Sequence, residues 1–350
     1  MSAAAPPATK KVQHISLIDG LAILLIVVVH CSYYYNAIGP VVMIGQYLGE
    51  FGIALFTFTA GYKLAYNHFD KFRDREFMGA YFLKRFVKLI KPYYGYTLLI
   101  FIPYYITLWT ASNVLHWDFA ARYQIFFQQL SLKGLFDLVT GYNFVALHLW
   151  YLVALAVVTA VTFTVVTFTG RRGLIVLFVP VLAANIFLYS AMISFSTNFF
   201  RIMLCMPFFI TGIYYAIAER EGQRIVKYVP YFSLAILPLA VGLFGLPGFP
   251  RWGGVMMVWD FAVLCLMLGV ANAGLRLPYI SSALLFCSLF SFPIYIFHAP
   301  FISAIYGVII TRVLGIETIL GLVPMVALAI LTSIGAYKAI QKIHLNWLIE

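Results

Sequence analysis

Residues 21–30 read Leu-Ala-Ile-Leu-Leu-Ile-Val-Val-Val-His, an uninterrupted apolar run that leads straight into a histidine. With its flanks, this run is long enough to cross a membrane as a helix. An ionisable group at membrane depth is costly and indicates function, so His30 is a candidate functional residue. Asp19 lies eleven positions earlier. On a helix the two side chains share one face, about 16 Å apart along the axis.

The composition extends this conclusion to the whole chain. Of its 350 residues, 63% are hydrophobic and 10% are charged, and the mean hydropathy is +0.94. A soluble domain needs a polar surface, so these values exclude a soluble domain and indicate a polytopic membrane protein. The predicted fold class is all-α, a bundle of about ten transmembrane helices. The candidate spans are 17–35, 45–66, 93–113, 145–168, 174–191, 199–219, 230–247, 254–274, 284–310 and 318–340.

The distribution of lysine and arginine predicts how the chain lies in the membrane. With the N-terminus in the cytoplasm, most of the 23 lysines and arginines fall on the inner side, so we expect both termini there. Residues 1–16 then form a short cytoplasmic tail, and residues 17–345 form one transmembrane domain. Within it, 67–92 is a basic cytoplasmic loop whose second half has the pattern of an amphipathic helix. The net charge of +11 reflects this topology, and we expect no nucleic-acid partner.

The four cysteines have no motif spacing. Cys31, Cys205, Cys265 and Cys287 lie in or beside apolar runs, and none belongs to a CxxC pair. We expect packing residues, and neither a disulfide framework nor a metal site.

The remaining ionisable groups fall at two depths of the predicted bundle. Asp19 and the cationic group Lys84, Arg85 and Lys88 lie on the inner side, and a histidine lies near the middle of the ninth span, at position 298. A basic inner mouth suits a phosphorylated donor, and an outer pocket with a base suits a hydroxyl acceptor. The outer half gathers acids, bases and a cation: His30, Glu50, His148, Arg201 and Asp260.

Each of these residues also has a structural interpretation. Glu50 and His148 lie near span ends and suit the interface, and Arg201 suits snorkelling to headgroups. Asp260 could form a structural salt bridge with Arg201, and His298 could satisfy carbonyls freed by a kink. The cationic group could act only as a topological anchor. The histidine of the first span fits such a role least, because it lies well inside its helix.

Five segments carry distinct motifs in a fixed order. They are Ile18–His30, Phe51–Tyr62, Phe82–Tyr93, His148–Leu152 and Ser291–Pro300. Taken together, and over most of the chain, they resemble the acyltransferase 3 family of membrane O-acyltransferases. The first segment resembles the family helix that ends in a signature histidine. It departs from the family at Asp19, which stands where an arginine is usual.

The resemblance implies transfer of an acyl group, usually acetyl, from cytoplasmic acyl-CoA to a hydroxyl of a carbohydrate or lipid-linked glycan. It implies His30 as the central catalytic residue, acting as base or acyl carrier, and no metal. Glu50 is the carboxylate we expect to orient the His30 ring, and the cationic group suits the phosphates of acetyl-CoA. Asp19 is a further catalytic candidate. The expected supporting and substrate-binding residues are His148, Trp150, Arg201, Asp260 and His298.

Other functional classes stay open on the sequence alone. Proline-broken spans with buried charges also fit a transporter or flippase, and the missing arginine also fits a non-catalytic component of a glycan export machinery. A haem cytochrome is disfavoured, because His30, His148 and His298 lie on separate spans. We expect a multi-pass protein of the bacterial cytoplasmic membrane, with lipids as neighbours. The acceptor, the acyl length and a homo-oligomeric state stay open.

Overall fold

The computed structural model describes residues 10–32, 40–72, 74–113, 131–139, 146–188, 197–245, 256–274, 277–316 and 318–345. Within these ranges every regular element is helical, which confirms the all-α fold class. The α-helices are α1 (Lys10–Ser32), α2 (Pro40–His68), α3 (Arg75–Asn113), α4 (Leu132–Val139), α5 (Trp150–Thr169), α6 (Arg171–Phe187), α7 (Thr197–Arg220), α8 (Ile225–Gly245), α9 (Met256–Gly274), α10 (Pro278–Leu289), α11 (Ser291–Phe297), α12 (Ser303–Gly307) and α13 (Ile319–Lys342).

Several of these helices match the dimensions of a bilayer. Helices α10 and α11, which are bent by 64° at a short break, together have the length and apolar character of one further span. The chain is therefore an integral membrane protein. The number of ten spans and the cytoplasmic side of the termini stay predictions. In the described part of the chain, the helices long and apolar enough to cross are Gln13–Ser32, Trp150–Thr169, Phe199–Arg220 and Leu320–Lys342.

Helix α1 packs against α2, α10 and α13. A small residue permits one of these close contacts, because a side chain on Gly20 would collide with the main-chain oxygen of Leu284 in α10. Close approach of backbones at small residues is typical of helix packing in membranes. Because other helices enclose α1, the side chain of Asp19 is buried inside the protein and only 3% exposed.

The ninth predicted span is broken rather than continuous. Residues 278–297 form two helices that meet at Phe290, and the chain breaks again at Ala299, which has φ −132° and ψ 158°. A residue before proline disfavours the helical region, and Pro300 follows. The freed carbonyls find partners: the Tyr96 hydroxyl donates to the Ala299 oxygen at 2.9 Å, and Ser303 donates to the His298 oxygen at 2.6 Å. The break thereby holds His298 at the start of an irregular turn.

The basic loop and the third span form one element. Helix α3 begins at Arg75 and continues through Pro92 and Pro103 to Asn113. The predicted amphipathic segment is therefore a continuous extension of the span. Lys84 and Lys88 are exposed and Leu89 is buried, but Leu83 and Val87 are also exposed, so the amphipathic character of this segment stays a prediction.

Candidate active site

Three histidines from three separate elements meet in one cluster. His30 lies near the end of α1, His148 in the 3-10 turn before α5, and His298 at the broken helix. Their ring centroids are 4.8 Å apart for His30 and His298, 5.2 Å for His148 and His298, and 6.1 Å for His30 and His148. His148 and His298 are buried, and His30 is half-buried. We call these three residues the histidine cluster.

Main-chain carbonyls fix which nitrogen of each ring carries the proton. The Nδ1 atom of His30 lies 2.8 Å from the Ile26 oxygen, and Nδ1 of His298 lies 2.8 Å from the Ile294 oxygen. A carbonyl only accepts, so both Nδ1 atoms are protonated and the basic nitrogen of each neutral ring is Nε2. The Nε2 atom of His298 lies 3.3 Å from Nδ1 of His30 and accepts from it. His30 therefore presents Nε2 as its basic atom.

His148 ties its turn to the broken helix. Its Nε2 atom donates to the Ile296 oxygen at 3.1 Å, and the Tyr295 hydroxyl donates to the His148 main-chain oxygen. These two bonds hold the predicted His-Leu-Trp-Tyr-Leu segment against the predicted Ser291–Pro300 segment. Within the described ranges, no group of three or more histidine, cysteine, aspartate or glutamate side chains is arranged to hold a metal ion.

A cationic cavity of about 300 Å³ lies between α1, α2, α3, α5 and α11. We call it the inner cavity. Lys63 contributes to its wall and forms an ion pair with Asp19, which also accepts a hydrogen bond from Thr59. Arg85 and Lys88 of α3 line the same space. Three cations and one carboxylate give the cavity a positive balance, which suits a phosphorylated ligand.

An aromatic wall separates the inner cavity from the histidine cluster. Tyr151 and Tyr295 line the cavity, and their rings are 5.9 Å apart. The other side of Tyr295 faces the cluster, with centroid distances of 5.7 Å to His148 and 6.2 Å to His298. The ring of Tyr295 therefore contacts both the inner cavity and the histidine cluster.

The structure distributes the predicted site residues over these two places. It brings His30, His148 and His298 together, and it places Asp19 with Arg85 and Lys88 in the inner cavity. Asp19 contacts Lys63 and Thr59, and Nδ1 of His30 lies within hydrogen-bond distance of the Ile26 carbonyl and of His298.

The other predicted residues lie outside both places or outside the described side chains. Lys84 is exposed and does not line the inner cavity. The Arg201 guanidinium lies over the Trp150 ring, 4.9 Å from its centroid, and Asp260 is buried in α9. Glu50 belongs to α2, but its side chain lies outside the described residues.

Lys63, Tyr151 and Tyr295 are site residues that the sequence did not single out. A signal existed for Lys63, because a carboxylate at membrane depth needs a cation and Asp19 has none nearby on its own helix. Lys63 lies at the inner end of the next predicted span. The two tyrosines lie within the motif segments His148–Leu152 and Ser291–Pro300, which was a signal, but with 24 tyrosines in the chain their residue type alone suits packing or the interface equally.

The fold and the site together define an integral membrane protein with a buried basic group beside a cationic pocket. The chain belongs to the acyltransferase 3 family: the family model described as an acyltransferase domain matches residues 13–338, nearly the whole chain. This confirms the resemblance found in the five sequence segments and makes the chain a membrane acyltransferase in general terms. Neither the curated proteins nor the solved structures contain a significant match.

Proposed function

We propose that this chain moves an acyl group, acetyl in the simplest case, from cytoplasmic acyl-CoA to a hydroxyl of a carbohydrate or lipid-linked glycan beyond the membrane. One observation carries the proposal: in a chain of an acyltransferase family, the ring of Tyr295 contacts both a cationic cavity and a histidine cluster. Phosphates of a donor need cations, and an attacking alcohol needs a base. Here the cations of the inner cavity and the histidines of the cluster both lie beside the ring of Tyr295.

The donor binds in the inner cavity. Lys63, Arg85 and Lys88 hold the phosphates of acyl-CoA, and Asp19 holds Lys63 in place through their ion pair. This assigns Asp19 to donor binding rather than to proton transfer. Apolar side chains deeper in the cavity, such as Leu152 and Phe56, line the space for the uncharged arm that carries the thioester.

His30 acts as the general base. The hydroxyl of the acceptor gives its proton to Nε2 of His30 while its oxygen bonds to the thioester carbonyl carbon. The carbon–sulfur bond then breaks, and the leaving thiolate takes the proton back from His30. His298 supports this exchange, because its Nε2 atom accepts from Nδ1 of His30 and keeps the opposite nitrogen basic.

The test measures thiol release and product formation by the full-length protein in lipid nanodiscs with acetyl-CoA and a hydroxyl acceptor. We expect His30→Gln to lower turnover by about 10²-fold or more, the usual loss on removing a general base. His68→Gln is the matched control, because His68 ends α2 away from the histidine cluster. Wild-type turnover in His30→Gln contradicts the base assignment. An intact thioester with the wild-type protein is the result expected of a transporter or of a non-catalytic export component.

A radiolabel distinguishes the two roles that the sequence left open for His30. With acetyl-labelled CoA and no acceptor, a base leaves the protein unlabelled, whereas an acyl carrier becomes labelled at His30. We expect no stable label. Label that appears on the wild type and is absent from His30→Gln contradicts direct transfer.

A further inference from the structure

A second cavity, of about 490 Å³, is larger than the inner cavity and shares no lining residue with it. We call it the lateral cavity. It lies between α6 and α8, and α7 and α9 contribute to its walls. Apart from Thr211, Gln223 and the hydroxyls of two tyrosines, its lining is apolar. Representative lining residues are Phe178, Val229, Phe232, Phe261 and Leu268.

The lateral cavity reaches from the side of the bundle into its interior. At its deep end Phe58 is fully buried, and Leu264 and Leu268 are 2% and 1% exposed. At its mouth Ile225 and Phe232 are 51% and 43% exposed. The cavity is therefore a pocket with a floor, and a molecule in it leaves the surrounding bilayer.

The mouth lies on a segment that belongs to the membrane. Ile225–Ile236 is a short apolar stretch of α8 with Phe232 and Leu234 43% and 71% exposed, and in an integral membrane protein such exposed apolar side chains suit contact with lipid. Water is a poor occupant, because apolar walls give it few hydrogen-bond partners. A flexible hydrocarbon chain matches both the walls and the surroundings.

The end of the lateral cavity next to the α7–α8 turn is cationic. Gln223 lines it, and Arg224 and Lys227 follow, both exposed. The nearby carboxylate of Glu221 accepts from Arg171 at 2.7 Å and from Gln223 at 2.8 Å, so its charge is already neutralised. Arg224 and Lys227 are left to attract an anion from the membrane surface.

We propose that the lateral cavity binds one acyl chain of an anionic phospholipid, whose phosphate lies against Arg224 and Lys227. The site is independent of the proposed acyl transfer. It is nevertheless close to the donor machinery, because consecutive residues of α2 line the two cavities: Phe58 faces the lateral cavity and Thr59 the inner one. The bound chain thus packs against the back of the helix that carries Lys63.

The test uses the full-length protein in nanodiscs of phosphatidylcholine that contain a small fraction of a photoactivatable lipid. The probe is a phosphatidylglycerol with a diazirine near the end of one acyl chain, and mass spectrometry maps the labelled residues after irradiation. We expect labels on lining residues of α8 and α9. Val229→Trp fills the cavity and lowers this labelling roughly tenfold. Val176→Trp is the matched control, because Val176 is 73% exposed on α6 and does not line the cavity.

Two results overturn the proposal. Labels spread evenly over exposed faces such as Val176, unchanged by Val229→Trp, indicate surrounding bilayer lipid only. A phosphatidylcholine probe that labels as strongly as the anionic one, with Arg224→Ala and Lys227→Ala without effect, contradicts the headgroup assignment. If Val229→Trp does not fold, Ile225→Trp blocks the mouth instead and has the same expected result.

Discussion

At the scale of single residues, the proposed chemistry depends on the tautomer of His30. A main-chain carbonyl of its own helix and the ring of His298 both meet Nδ1, and this leaves Nε2 basic. A carboxylate in that position would stabilise a protonated ring, whereas a second neutral imidazole does so weakly. The arrangement favours a base that releases its proton again within the same reaction.

His298 is the residue that tests this interpretation. We expect His298→Phe to lower kcat about 10–100-fold with little change in KM for acyl-CoA, because Nδ1 of His30 loses one of its two hydrogen-bond acceptors. We expect His298→Gln to recover part of the rate, since its amide oxygen can accept from Nδ1 of His30. Tyr96→Phe is the control, because Tyr96 bonds the same broken helix at Ala299. Equal losses in Tyr96→Phe and His298→Phe would indicate a purely structural role.

In the proposed mechanism Lys63 binds the donor, so its removal is expected to change KM rather than kcat. We expect Lys63→Met to raise KM for acyl-CoA about tenfold, the equivalent of ~1.4 kcal/mol, and Lys63→Arg to stay near the wild type. The lost ion pair also leaves Asp19 buried without its cation, so thermal stability is measured in parallel. Asp19→Asn in the Lys63→Met background removes that penalty. An unchanged KM for acyl-CoA in Lys63→Met and in the double variant with Asp19→Asn means that the donor binds elsewhere.

At the scale of elements, the sequence predicted the helices better than their breaks. Continuous apolar runs specify spans because a bilayer demands about twenty such residues, and each predicted span overlaps an observed helix. The bend at Phe290 did have a local signal, because Pro293 lies three residues further on in the same predicted span, but proline alone does not give the size of a bend. The grouping of the three histidines was hidden, because it depends on how three distant elements pack. His30 itself was predictable from the cost of its position.

A glycine pair tests the packing of the first helix. We expect Gly20→Ala to destabilise the protein by about 1–3 kcal/mol, because the added methyl group collides with the Leu284 main chain. Gly79→Ala is the matched control in α3, where the added atom meets open space, and it stabilises the helix by about 0.5–1 kcal/mol. Thermal unfolding in the same detergent measures both. A Gly20→Ala variant as stable as the wild type would contradict the close contact between α1 and α10.

At the scale of the whole molecule, charged side chains mark one end of the bundle. Arg220 of α7 donates to Asp70 at 2.5 Å, and Glu219 accepts from Tyr62 of α2 at 2.5 Å. The start of α1 reaches the same end, since Nε2 of His14 lies 3.9 Å from Glu219. The lysine and arginine pattern predicts that this end faces the cytoplasm.

Reporter insertions test that orientation. We expect a reporter enzyme that is active only outside the cytoplasm to be silent when it is fused to either terminus or inserted in the turn at Gly222. The same reporter inserted in the segment 246–255 is the positive control, because one further span separates it from that turn. Activity at Gly222 and silence at 246–255 would reverse the topology and place the inner cavity on the opposite side.

The ring of Tyr295 has a consequence for the cell that houses the protein. An enzyme whose two substrates approach from opposite faces of a bilayer can let protons and ions cross if an aqueous path joins its two binding sites. The ring of Tyr295 lines the inner cavity and also contacts His148 of the histidine cluster, so we expect it to limit the passage of protons between them. We therefore expect Tyr295→Ala to make proteoliposomes more permeable to protons, as measured with a pH-sensitive dye trapped inside them.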